Sequence, residues 1–220
     1  MIKAIVFDMD GVIFDSEKLY RKHWMLSAKE YGIPEETMRE LCNLIAGATK
    51  ENNERLMKSR FGEDFDYMEF RGRTMARMDQ EIKENGVALK SGVRELLSFL
   101  KEHGYKIGLA TSTQRERAKR NLRNAGIFDM FDEIVCGEMV PRGKPFPDIY
   151  LRACELLQVK PEEAMGIEDS INGVKSSSDA GLYTVMVIDL IEPTKEIREQ
   201  ADQIYDSLFD VITLLEGNEE

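Results

Sequence analysis

Four short groups of polar residues carry the chemistry that this 220-residue chain offers. The first is Asp8-Met9-Asp10-Gly11, directly after the apolar run Ala4-Ile5-Val6-Phe7; the others are Thr111-Ser112, Gly143-Lys144-Pro145 and Glu168-Asp169-Ser170. Taken singly, each has an ordinary structural explanation. Thr111 and Ser112 suit caps or turns, Lys144 a solvated loop, and Glu168 and Asp169 the favourable dipole at a helix start. Taken together they ask for more. Carboxylates that converge without a cation repel one another, so Asp8, Asp10, Glu168 and Asp169 call for a hard metal ion, and Mg2+ suits carboxylate and water ligands. The metal in turn suits a phosphate. A carboxylate about 4 Å from an anionic phosphoryl group meets repulsion of about 4 kcal/mol per charge pair at an effective dielectric near 20. Mg2+, Lys144, the Thr111 hydroxyl and backbone N–H groups at the following helix start would offset it. Ser112 and Gly11 join Thr111 and Lys144 as candidate phosphate-binding residues.

These groups need a scaffold that brings distant segments together. Ala4–Phe7 is short, apolar and partly β-branched, as befits a strand buried on both faces of a parallel sheet. If the extended conformation persists, Asp8 and Asp10 point to one side, and Gly11 lets the chain turn. Residues 16–31, 34–46, 50–60 and 64–85 read as helices, broken at Gly47 and near Gly62. From Lys90 onward the pattern alternates. Helices are expected at 92–103, 114–125, 147–157, 170–180, 194–200 and 207–215, and strands at 106–110, 133–136, 164–168, 183–188 and 203–206. The fold class is therefore α/β: a Rossmann-like parallel sheet with right-handed crossovers and helices on both faces. Residues 1–15 and 88–220 would form this core, and 16–87 an inserted α-helical cap. The insertion emerges at the strand end that carries Asp8 and Asp10, a position suited to a lid. The acidic end, 216–220, reads as frayed.

Composition narrows the function. Hydrophobic residues make up 42% and charged residues 32%, an ordinary globular balance, and the net charge is -11. That charge argues against nucleic acid or an anionic membrane as partner. With no signal-like start and no apolar run of bilayer length, the chain reads as cytoplasmic. Cys42, Cys136 and Cys154 are odd in number and widely spaced, which fits reduced thiols rather than a disulfide framework or a zinc site. His23 and His103 are the only histidines, so oxygen ligands are favoured. The basic run Arg115, Arg117, Lys119, Arg120 and Arg123 reads as a solvated helix face.

The pieces Phe7-Asp8-Met9-Asp10-Gly11-Val12, Leu109-Ala110-Thr111-Ser112, Gly143-Lys144-Pro145-Phe146-Pro147-Asp148 and Gly166-Ile167-Glu168-Asp169-Ser170 resemble, in order, the motifs of the haloacid dehalogenase-like superfamily, in its helical-cap branch. The resemblance implies Asp8 as a nucleophile that becomes an aspartyl phosphate. It implies Asp10 as general acid and then general base, with Thr111 and Lys144 holding the phosphoryl group. It also implies a Mg2+ site of Asp8, the Asp10 carbonyl and Asp169, with Glu168 bound directly or through water. The expected activity is hydrolysis of a small phosphorylated metabolite by a monomer. Asp10 speaks against a true dehalogenase, and against the branch that hydrolyses phosphonoacetaldehyde. β-Phosphoglucomutases are the alternative, although they typically carry histidine where Tyr20 stands and arginine where Lys50 stands. A phospho-ligand binding module without turnover is a third reading. In the insertion, Tyr20, His23, Lys50, Arg71, Arg73 and Arg77 are the candidates for substrate contact, a packing or hydrogen-bonding role being the favoured reading of His23.

Overall fold

A computed structural model of the chain describes residues 1–45, 50–189 and 193–217. Its strands are β1 (Ala4–Phe7), β2 (Lys106–Thr111), β3 (Glu133–Cys136), β4 (Ala164–Glu168), β5 (Tyr183–Val187) and β6 (Gln203–Tyr205). All pair in parallel in the order β3-β2-β1-β4-β5-β6. The helices are α1 (Ser16–Glu30), α2 (Glu35–Ile45), α3 (Lys50–Phe61), α4 (Tyr67–Asn85), α5 (Val93–Glu102), α6 (Arg115–Asn124), α7 (Asp148–Leu157), α8 (Ile171–Asp179), α9 (Lys195–Gln200) and α10 (Leu208–Glu216). The alternating pattern thus gives the doubly wound α/β sheet expected of it.

Burial explains why these segments become strands. β1 is covered on both sides: Ala4 and Val6 pack with Ala110 and Val135 against Ile149, Ala153 and Leu157 of α7. Side-chain alternation sends Ile5 and Phe7, also buried, to the opposite face. α7 and α8 pack on each other, as do α8 and α9, while α5 pairs with α10. The apolar stripe of α5, Val93, Leu96, Leu97 and Leu100, is buried in that second layer.

The chain forms two compact units, Met1–Asp15 with Ala88–Glu220, and Ser16–Val87. The second is the α1–α4 helical unit, with a core that includes Trp24, Met38, Met57, Tyr67 and Phe70. Phe70 meets Tyr31 edge-on at 5.0 Å between ring centroids and Trp24 at 5.3 Å.

Differences from the expected elements are local. Three 3-10 turns, Phe128–Met130, Gly137–Met139 and Pro161–Glu163, are too short to leave a periodic signal. The helix expected from residue 64 starts at Tyr67, because the Asp66 carboxylate caps it by accepting from Glu69 N at 2.8 Å. The break expected at Gly47 and the last residues of the acidic tail lie outside the described residues. Cys42, Cys136 and Cys154 are all buried free thiols. Among the described residues, no helix is long and apolar enough to cross a membrane.

Candidate active site

The strand order reverses between β1 and β4, the place where an open α/β sheet leaves a crevice beyond its carboxyl ends. Phe7 pairs with Ile167, and Asp8 N donates to Ile167 O at 2.9 Å, so Asp8 stands beside Glu168. By alternation both acids face the side that α7 covers, as do Val6 and Ala164.

Asp8, Glu168 and Asp169 offer carboxylate oxygens that all lie within 4.8 Å of one another. Lys144, in the loop before α7, reaches into this cluster. Its Nζ donates to Asp8 Oδ1 and Glu168 Oε1, both at 2.5 Å, and to Ala110 O at 2.9 Å. The Lys144 side chain is only 7% exposed and that of Glu168 fully buried. Tyr150 of α7 donates its hydroxyl to the same Glu168 Oε1 at 2.6 Å.

The loop that carries Lys144 is tied down from both ends. Arg142 holds Asp148 through two hydrogen bonds of 3.1 and 2.8 Å, and Ser176 of α8 donates to Phe146 O at 2.6 Å. Ser170 caps α8 by accepting from Gly173 N. Gly173 itself lies where a Cβ would overlap the Glu168 carboxylate.

The electrostatics show a site short of positive charge. Burial raises the Glu168 pKa and the Asp8 charge adds to the rise, which Lys144 and Tyr150 oppose. Burial likewise pushes Asp169 well above the usual carboxylate range, reinforced by Asp8, Glu168 and Asp189. Burial alone would lower the Lys144 pKa, but the two carboxylates on it outweigh that and raise it. A cluster of three carboxylates with one ammonium retains excess negative charge. The donor set is all oxygen, so the residues fit a hard divalent cation such as Mg2+. Gly11, at φ +89°, fits the same design, because a Cβ there would collide with the Asp169 carboxylate.

Asp10 takes a different place from the one alternation allows. The strand ends at Phe7, the chain bends at Met9, and Ile13 N and Phe14 N both return to Met9 O. The extended conformation therefore does not persist to Asp10. Its carboxylate is not in the cluster with Asp8; its Oδ2 accepts from Thr113 Oγ1 at 2.8 Å. Thr111 ends β2 one residue beyond Ala110, is buried, and accepts from Thr113 N at 3.0 Å. Ser112 beside it is exposed.

Within the helical unit, the candidates separate. The Tyr20 ring lies tilted against Trp24 with 5.4 Å between centroids, and burial pushes its pKa up to about 12. His23 is buried with Nε2 3.0 Å from Glu81 of α4 in the same unit. Arg73 pairs with Glu69 at 2.7 Å and Arg77 with Glu30 at 2.6 Å. Arg71 acts electrostatically on Tyr67 and Tyr20, and Lys50 is exposed at the start of α3. On the basic face of α6, Arg123 lies over the Phe128 ring at 4.5 Å.

Tyr150, Thr113 and Asp189 are the site neighbours that sequence reading missed. Tyr150 lies on the buried stripe of α7 and reads there as core. Asp189 follows β5 and ion-pairs with Lys90 at 2.5 Å. The one available signal was position, since both Thr113 and Asp189 lie just past strand ends.

A doubly wound α/β sheet with buried carboxylates and a lysine gathered at its switch point defines an enzyme of the carboxylate-centred hydrolase class. The chain belongs to the haloacid dehalogenase-like hydrolase family, whose model matches residues 5–187. It is 34% identical over 188 residues to a phosphorylated carbohydrates phosphatase of Thermotoga maritima, covering 84% of each chain. It is 31% identical over 192 residues to the β-phosphoglucomutase of Bacillus subtilis, covering 84% of this chain and 83% of that one. The crystal structure of a putative β-phosphoglucomutase from Thermotoga maritima superposes with a TM-score of 0.80 at 30% identity, covering 98% of this chain and 99% of the other.

Proposed function

We propose that this protein is a Mg2+-dependent phosphomonoester hydrolase acting on a small phosphorylated metabolite, a sugar phosphate being the first candidate, through an aspartyl phosphate on Asp8. The observation that carries this reading is the pinning of Lys144 between Asp8 and Glu168. An ammonium held against a nucleophilic carboxylate is what an anionic phosphoryl group needs on approach.

An Asp8 oxygen bonds to phosphorus as the ester P–O bond breaks, and Asp10 gives its proton to the departing alcohol oxygen. Water then attacks the phosphorus of the aspartyl phosphate and passes a proton to Asp10, which releases phosphate and restores Asp8. Lys144 and the Thr111 hydroxyl hold the phosphoryl oxygens, with Ser112 after β2 and Gly11 after β1 as further phosphate-binding residues. Asp8, Asp169, Glu168 and the Asp10 carbonyl would hold Mg2+, which when bound supplies charge neutralisation. Thr113 orients the Asp10 carboxylate between its two proton transfers.

The helical unit is proposed to select the substrate. Its two chain connections leave the α/β unit side by side, where Asp15 N donates to Ala88 O at 2.9 Å, a few residues beyond Asp8.

Purified protein should release phosphate from phosphate esters when Mg2+ is present. Activity that survives both EDTA and Asp8→Asn rejects the mechanism. The similarity to β-phosphoglucomutases supports a second reading, phosphoryl transfer between the C1 and C6 hydroxyls of glucose. Incubation with β-glucose 1-phosphate and a trace of the 1,6-bisphosphate separates the two: the mutase reading requires glucose 6-phosphate to accumulate faster than free phosphate. Ligand binding with no turnover across a metabolite panel would instead leave only a binding module.

A further inference from the structure

We propose that Tyr150 is a positioning residue of the active site, and that its hydroxyl sets the orientation of Glu168 through which Lys144 and the metal ion are both aligned. This inference rests on the Mg2+-dependent reading above. Tyr150 lies in the buried core between α7 and the sheet, where phenylalanine would fill the same space without a hydroxyl to satisfy. The hydroxyl is instead spent on Glu168 Oε1 at 2.6 Å, the same oxygen that accepts from Lys144 Nζ at 2.5 Å.

Two charge-assisted donors on one oxygen fix the carboxylate plane and leave the second oxygen distinct. Among the described residues, the hydrogen bonds to Glu168 Oε2 are long, from Asp169 N at 3.3 Å and Ser170 Oγ at 3.5 Å, so it is the less committed of the two oxygens. The ring does a second job. Lys144 Nζ lies 5.2 Å from its centroid, so the ammonium is held over an aromatic face on one side and drawn toward Asp8 on the other. The sheet makes room for this arrangement: at Gly166 of β4 a Cβ would meet Tyr150 Cε1 and the Ser177 side chain.

The test uses the full chain and Tyr150→Phe, which keeps the ring. Mg2+ binding to the resting protein is followed by calorimetry, and hydrolysis of p-nitrophenyl phosphate at saturating Mg2+ by initial rates. Outer partners of metal ligands are typically worth about ten- to a hundredfold. The Mg2+ dissociation constant should rise at least about tenfold and kcat fall by a similar factor, with KM within about twofold. In a Glu168→Gln background the same change should add less than about twofold, because the hydroxyl acts through that carboxylate. An unchanged Mg2+ constant in Tyr150→Phe, an equal effect in both backgrounds, or failure of the variant to fold overturns the proposal. If wild-type protein itself neither binds Mg2+ nor depends on it, the proposed function fails instead.

Discussion

Phe7 of β1 is the register partner of Ile167 of β4, and that single pairing sets Asp8 beside Glu168 at the reversal point of the sheet. The two acids are 160 positions apart in sequence and share one lysine. Both their proximity and their need for a cation follow from the order in which the strands assemble.

Removing that lysine tests the need directly. In Lys144→Met the buried Asp8 and Glu168 carboxylates lose their ammonium, and breaking a buried pair costs about 3–5 kcal/mol. Urea unfolding of metal-free protein should show a loss of that size, with phosphate release down at least about a hundredfold. Near-wild-type activity in a folded variant would remove Lys144 from the mechanism.

Metal binding should stabilise the fold by mass action, by about 2.7 kcal/mol when free Mg2+ is about 100 times its dissociation constant. The melting temperature should therefore climb with Mg2+ and return after EDTA. Asp169→Asn should abolish that climb while making the metal-free protein more stable, because it removes a carboxylate whose burial, and whose repulsion by Asp8, Glu168 and Asp189, raise its pKa. A Mg2+-dependent shift that persists in the variant would place the ion elsewhere.

Gly11→Ala places a Cβ in a left-handed backbone at φ +89° and into the Asp169 carboxylate. Strain of this kind costs about 1–3 kcal/mol. Thermal unfolding should report that loss, and activity should fall even at temperatures where the variant is fully folded, because Asp169 must move. Full activity with only a lowered melting temperature would separate Gly11 from the site.

His23 gives the stability of the protein a pH dependence. Burial lowers its pKa from 6.5, and Glu81 only partly opposes that. Below about pH 6.5 the unfolded chain therefore binds a proton that the folded chain refuses, so stability is full above that pH and is lost as pH falls toward the lowered value. Unfolding free energies measured at pH 8 and pH 5 should differ less in His23→Phe than in wild type. An identical pH dependence in the two proteins would show that His23 is charged in the fold.

Most of the architecture was legible from local pattern, because most strands are short apolar runs bounded by glycine or polar residues and most helices carry a buried stripe. The boundaries of β3 and β4 fall where that pattern puts them. The acids and Lys144 stood out because polar residues at strand ends have few structural reasons to cluster. Tyr150 did not, since an aromatic on a buried helix stripe looks the same whether its hydroxyl is used or not.

The sequence by itself determined the alternation of strands and helices, and with it which residues stand at strand ends, since side-chain periodicity and turn chemistry are local properties. Only the tertiary structure decided which of those ends meet. Strand order placed Asp8 against Glu168, the bend at Met9 took the Asp10 carboxylate out of the acidic cluster and toward Thr113, and α7 brought the Tyr150 hydroxyl onto the oxygen that also holds Lys144. Those choices depend on packing between segments far apart in the chain, where no local periodicity reaches.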